Sequence, residues 1–172
     1  KAVCLALGRT PGLNAHWDEA AGEIVQYRYI DLGIAAATDR GLIVPHIRDA
    51  ERLGLGGIAD ALRDLAATAR SGKTSPAELQ GGTFSISNIG VFGVDAGTPT
   101  LPPGQSGTLA AGATRRPPCE HRGEIALRAP MTPSPPFDHR LADGAERARC
   151  PRHAADLRPD AGRAVPLGQP RR

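Results

Sequence analysis

The chain has 172 residues, a formal net charge of +3 and only 3% aromatic residues. That length makes one ordinary domain with enough chain to bury a core. The mild charge and scarce aromatics argue against a nucleic-acid binder, and neither a membrane-spanning apolar run nor a signal-peptide pattern is present.

The charge is unevenly placed. Thirteen of the 16 prolines follow Thr98, and arginine crowds the same end. The expected reading is a solvated Pro/Arg-rich tail at 150–172, rather than a basic arm for nucleic acid, behind one catalytic-sized unit at 1–149. Cys4, Cys119 and Cys150 are odd in number and lack metal spacing. They read as reduced thiols, hence a cytoplasmic setting. No set of metal-ligand spacing competes, so no metal is expected.

In chain order, Lys1 to Leu7 is apolar and alanine-rich and fits the end of a helix, stopped by Gly8 and Pro11-Gly12. The chain starts without methionine, so it is expected to lack an amino-terminal part. Leu13-Asn14-Ala15 and Trp17 lead into a polar turn at 18–23, and the alternating Ile24 to Tyr29 predicts a strand. Asp31 to Thr38 and Leu42 to Ile47 predict two strands joined at Asp39-Arg40-Gly41. Pro45 lacks a backbone donor, which points to an edge or irregular position. His46, beside it, reads as incidental and not catalytic.

Leu55, Ile58, Leu62, Leu65 and Ala69 fall at helical spacing, with Asp60, Arg63, Asp64 and Arg70 on the other side. This predicts an amphipathic helix whose first turn Gly54, Gly56 and Gly57 weaken. Ser75-Pro76 predicts a short capped helix. Thr83 to Asn88 alternates as a strand between two glycine turns. Ser106 to Gly112 predicts a strand of small residues, and Glu124 to Arg128 a short one. From Met131 to Phe137 three prolines allow an extended segment but hardly a central strand. A helix begins at Ala145, broken by Pro151 and Pro159.

Two stretches carry chemistry. Phe137 to Gly144 reads Phe-Asp-His-Arg-Leu-Ala-Asp-Gly, placing His139 and Asp143 four residues apart. Histidine is the side chain that exchanges a proton near neutrality, and a general base must also be aimed. Asp138 and Arg140 read as structural ion-pair members. Taken alone, the motif also fits a polar turn before a helix, with Asp143 as its cap, and Ser87 also fits a solvent-facing strand hydroxyl. The second stretch, Gly81-Gly82-Thr83-Phe84-Ser85-Ile86-Ser87-Asn88-Ile89-Gly90, lies 52 positions upstream when Ser87 is counted to His139.

Together these stretches resemble the catalytic domain of the dihydrolipoamide acyltransferases, the acyltransferase component of 2-oxo-acid dehydrogenase complexes. That family carries both motifs in this order, and Leu13-Asn14-Ala15-x-Trp17 and Gly97-Thr98-Pro99 also match. The resemblance implies an α/β (α+β) fold like chloramphenicol acetyltransferase, a mixed β-sheet with packed helices. It implies acyl transfer between a dihydrolipoyl group and coenzyme A. In that scheme His139 is the general base, Ser87 supplies the oxyanion hydroxyl, Asp143 holds the geometry and Asn88 supports substrate binding. The lipoyl group would ride on a domain outside this chain. Family members form homotrimers and larger cores with other components of the complex, and the histidine and serine meet across a subunit boundary. The three prolines before His139 and the broken last helix keep a second reading open: a non-catalytic remnant serving as an assembly module.

Overall fold

The computed structural model describes residues 1–115, 118–121, 123–127 and 131–145. The tail at 150–172 and the helix expected beyond Ala145 lie outside these residues. Among the described residues, no helix is long and apolar enough to cross a membrane.

The amino-terminal helix α1, Ala2–Leu7, ends at Gly8 and leads through a 3-10 turn, Pro11–Leu13, into the hairpin of β1, Ala15–Asp18, and β2, Glu23–Gln26. The hairpin turns where the sequence places its polar turn, closed by Gly22 at positive φ. The next two expected strands are each divided. Asp31 to Thr38 becomes β3, Leu32–Ile34, and β4, Ala36–Thr38. Leu42 to Ile47 becomes β5, Gly41–Ile43, and β6, His46–Ile47. The cause is the Val44-Pro45 step. Pro45 gives only its carbonyl, which accepts from Ile34 N at 2.9 Å, while Ala35 N turns to Ile86 O at 2.9 Å. The tips, β4 and β5, therefore pair with each other as a separate hairpin, and the bases, β3 and β6, enter the main sheet.

Helix α2, Leu55–Arg70, has the predicted span. Its weak glycine start carries no side-chain cap, so packing must hold it: Ile58 and Ala69 are buried, and Ala61 and Leu65 lie against the core. A 3-10 turn, Pro76–Glu78, follows with a full capping box. Glu78 N donates to Ser75 Oγ, and Ser75 N donates to Glu78 Oε2 at 2.7 Å. Then come β7, Phe84–Asn88; β8, Thr108–Ala111; β9, Pro118–His121; β10, Glu124–Leu127; and β11, Pro133–Ser134. β9 carries no alternation and was not predicted. It pairs with β10 in a separate hairpin.

The main sheet runs β11–β8–β7–β3–β6, with parallel pairs at its centre and antiparallel pairs at both flanks. This is the mixed sheet with packed helices that the resemblance implies. β11 is its edge strand. Its prolines are accommodated because the segment bonds through carbonyls: Thr132 O accepts from Gly112 N and Pro136 O from Thr108 N, both at 3.2 Å.

Register assigns the two faces. Phe84 pairs with Leu32, and Ile86 with Ile34 and Leu109, so these side chains share the face that packs on Cys4, Leu7 and Leu13. Phe84 is fully buried, and burying such a ring contributes about 2–3 kcal/mol. Ser85 and Ser87 point to the opposite face, beside Thr108 and Ala110. That face is small-sided by necessity at Gly33, where a Cβ would collide with Ser85 Oγ, Val44 and the His46 ring.

Candidate active site

His139 sits on a turn built by Asp138. Asp138 N donates to Ser106 O at 2.8 Å, continuing the edge pairing. Leu141 N and Ala142 N donate to Asp138 O at 3.0 and 3.2 Å, and Arg140 N donates to Asp138 Oδ1 at 2.9 Å. Buried Ala142 pins the far end of the turn in the core. His139 itself is exposed, its ring tilted against Phe137 with centroids 4.5 Å apart. The Arg140 side chain closes back on the Asp138 carboxylate, Nη2 to Oδ2 at 2.7 Å. These hydrogen bonds hold the Asp138 carboxyl below its usual range and raise the Arg140 guanidinium above its own. Asp143, four residues past His139, is exposed at the start of the next turn.

Ser87 is the penultimate residue of β7, half-buried, paired with Ala110. Asn88 ends the strand by accepting from Gly90 N at 3.1 Å through its own Oδ1. A 3-10 turn, Gly90–Phe92, then closes on Gly93 at φ +74°. Gly90 lies directly on the backbone of Gly112 and Ala113, and Gly112 on that of Asp95. No side chain fits between these segments, so the loop after Ser87 is packed backbone on backbone, the close fit its glycines predict.

The sheet register also fixes how far apart the two motifs lie. Ser87 is level with Ala110, and Ser134 of β11 pairs with that same residue. Phe137 bridges Gly107, and Asp138 bonds Ser106, where the pairing ends and the histidine turn begins. The start of that turn thus lies four residues along the sheet from the level of Ser87, about 13 Å, and two strand spacings away. His139 and Asp143 lie on and just past one turn, and Ser87 and Asn88 are neighbours at the end of β7, so within one chain the two motifs sit apart on the sheet.

Sequence reading missed what secures the start of β7. Arg48 pairs with the buried Asp31 carboxylate and donates to the carbonyls of Ala77, Gln80 and Gly81. His46, read as incidental, also has a structural bond: its Nδ1 lies 3.0 Å from Glu78 O, and its ring fills the space that Gly82 leaves open. Burial pushes the His46 pKa below its ordinary value, against the opposing effect of the Glu78 carbonyl. Cavities of about 330 and 400 Å³ flank this ring, and neither includes Ser87 or His139. Among the described residues, no group of three or more His, Cys, Asp or Glu side chains is arranged to hold a metal ion.

Comparison with known proteins agrees with this architecture. The chain is 42% identical over 146 residues to the dihydrolipoyllysine-residue succinyltransferase component of the 2-oxoglutarate dehydrogenase complex of Rickettsia felis, covering 85% of this chain and 36% of that protein. It is 40% identical over 157 residues to the corresponding acetyltransferase component of the pyruvate dehydrogenase complex of Staphylococcus aureus, covering 91% and 36%. The chain thus spans little more than a third of the length of these curated relatives. Among solved structures, the probable dihydrolipoamide acetyltransferase of Listeria monocytogenes superposes with a TM-score of 0.85 at 31% identity, over 91% of this chain and 66% of that one. The dihydrolipoamide acetyltransferase of Azotobacter vinelandii gives 0.86 at 30%, over 91% and 65%. The roles of a serine, a histidine and an asparagine in the catalytic mechanism of that enzyme have been investigated. Its serine precedes its histidine by 52 positions and its asparagine follows by four, the intervals that separate Ser87, His139 and Asp143 here. A chloramphenicol acetyltransferase matches with a TM-score of 0.50 at 15% identity, a likeness of fold alone. The model of the 2-oxoacid dehydrogenases acyltransferase catalytic domain matches residues 1–157, and the chain belongs to that family.

Proposed function

We propose that this chain carries out acyl transfer between the thiols of a dihydrolipoyl group and coenzyme A, as the catalytic part of a 2-oxo-acid dehydrogenase complex. The observation that carries the reading is the pairing of both motifs, each on a bonded element, with their separation along the sheet of one chain. His139 stands exposed on a rigid turn, and Ser87 stands half-buried elsewhere on the same sheet. The site is then shared between subunits of a homotrimer or larger core, His139 from one and Ser87 from its neighbour.

Chemistry follows from the two side chains. His139 takes the proton of the attacking thiol, since only the thiolate is a competent nucleophile. The thiolate adds to the thioester carbonyl, and the oxygen gains negative charge. The Ser87 hydroxyl donates to that oxygen, a preorganised donor where charge develops. When the carbonyl re-forms, the C–S bond to the other thiol breaks, and the departing thiolate recovers the proton from the His139 imidazolium. Asp143 steadies the histidine turn and Asn88 the end of the serine strand.

The alternative of a non-catalytic remnant was motivated by the prolines before His139. They lie on the edge strand and next to it, where the pairing runs through carbonyls, and the histidine turn beyond them is held by bonds to the Asp138 carbonyl and carboxylate. A thioester-exchange assay with acyl-coenzyme A and dihydrolipoamide tests the proposal. His139→Ala should lower the rate about 10²–10⁴-fold with the oligomer intact. An unchanged rate would remove His139 from the mechanism and restore the remnant reading.

A further inference from the structure

We propose that the β1–β2 hairpin is a positioning device for His139, with Trp17 and Glu19 acting through Arg140. This rests on the catalytic reading of His139 above, and names residues outside both motifs. The hairpin belongs to neither the main sheet nor the helical layer, yet two tethers join it to the segments that flank His139. At its base, Ala15 N donates to the Oγ of fully buried Ser106 at 3.3 Å, and Ser106 O in turn accepts from Asp138 N at 2.8 Å. At its tip, Trp17 Nε1 donates to Glu19 Oε2 at 2.7 Å, and that same oxygen lies 3.5 Å from Arg140 Nη1. The guanidinium carbon of Arg140 stands 6.0 Å from the Trp17 ring centroid, at the outer reach of a cation–π contact.

Arg140 has little freedom between these partners. Its Nε donates to both Asp138 oxygens at 3.1 Å, its Nη2 to Oδ2 at 2.7 Å, and its backbone N to Oδ1 at 2.9 Å. A planar guanidinium locked on one side by Asp138 can turn toward the hairpin only as a unit with the backbone on either side of His139. Glu19 holds the other side of that guanidinium, so moving it away lets the Asp138–Arg140 pair shift against the hairpin as one body, with the histidine between them.

Exposure separates this role from a stabilising one. The Arg140 and Glu19 side chains are 59% and 85% exposed, so their pair adds little to global stability. What it restricts is the aim of an already folded turn, and a small loss of aim is read directly in the chemical step.

The test uses the protein at its natural length and the thioester-exchange assay. Glu19→Gln should lower kcat about two- to fivefold, with KM for both thiols and the melting midpoint unchanged, the scale of one exposed ion pair. Glu19→Asp should restore part of the loss. Trp17→Phe, which keeps the ring and removes the N–H, should move kcat in the same direction. Added salt should slow the unaltered protein by a similar factor and leave Glu19→Gln nearly unaffected, because screening removes the same contact. Wild-type kcat in Glu19→Gln, or a loss that salt reproduces equally in both proteins, would overturn the hairpin's role alone. A His139→Ala protein that retains its rate would overturn this role together with the catalytic reading.

Discussion

At the scale of single residues, the two faces of β7 separate stability from chemistry. Phe84 and Ile86 look into the core, and Ser87 looks away from it. Ser87→Ala removes no core contact. It should therefore lower kcat about 10²–10³-fold, the usual cost of one oxyanion donor, with unfolding midpoint and KM unchanged. Steady-state kinetics beside a urea titration would check the split. His46 makes the opposite kind of prediction. Desolvation lowers its folded pKa below the ordinary 6.5. The unfolded chain then binds the proton more readily, so the neutral ring stabilises the fold above about pH 6.5 and that contribution is lost as pH falls through the lower folded value. Urea midpoints measured between about pH 5 and 8 should decline on the acid side, and His46→Val should flatten the decline.

At the scale of elements, local signals were legible and pairings were not. The spacing of Leu55, Ile58, Leu62 and Leu65 marks α2, and Ser75-Pro76 with Glu78 marks its capped successor, because both are written within one or two turns of chain. The irregularity at Pro45 is legible, because the missing donor is written in the residue itself. The matching division at Ala35 is not, since Ala35 N turns to Ile86 O and that choice is made across the sheet. The Arg48 anchor was hidden for the same reason: nothing near Arg48 in sequence marks Asp31 or the carbonyls of 77–81 as its partners. Arg48→Ala should cost about 1–3 kcal/mol, because it leaves the nearly buried Asp31 carboxylate without its cation; the exposed carbonyls of 77–81 turn to water instead. Denaturant unfolding would measure it, and limited proteolysis should find new cleavage between residues 77 and 82.

At the scale of the whole molecule, the motifs named the reactive groups but not the distance between them. Only the register does that, and it leaves about 13 Å of sheet, across two strand spacings, between the level of Ser87 and the start of the histidine turn in one chain. After Ser87, Val91 and Phe92 stand 70% and 73% exposed on the backbone-packed loop. If the site is shared, each of two dead proteins still holds half of it. Ser87→Ala keeps a working histidine, and His139→Ala keeps a working serine. Unfolded together at equal concentration and refolded, they should form mixed oligomers in which about a quarter of the boundaries join an intact histidine to an intact serine. Acyl transfer should rise from near zero to about that share of the unaltered rate, and should not rise when the two are mixed after folding. Should the co-refolded mixture stay inactive while cross-linking shows mixed oligomers, the shared site would be overturned.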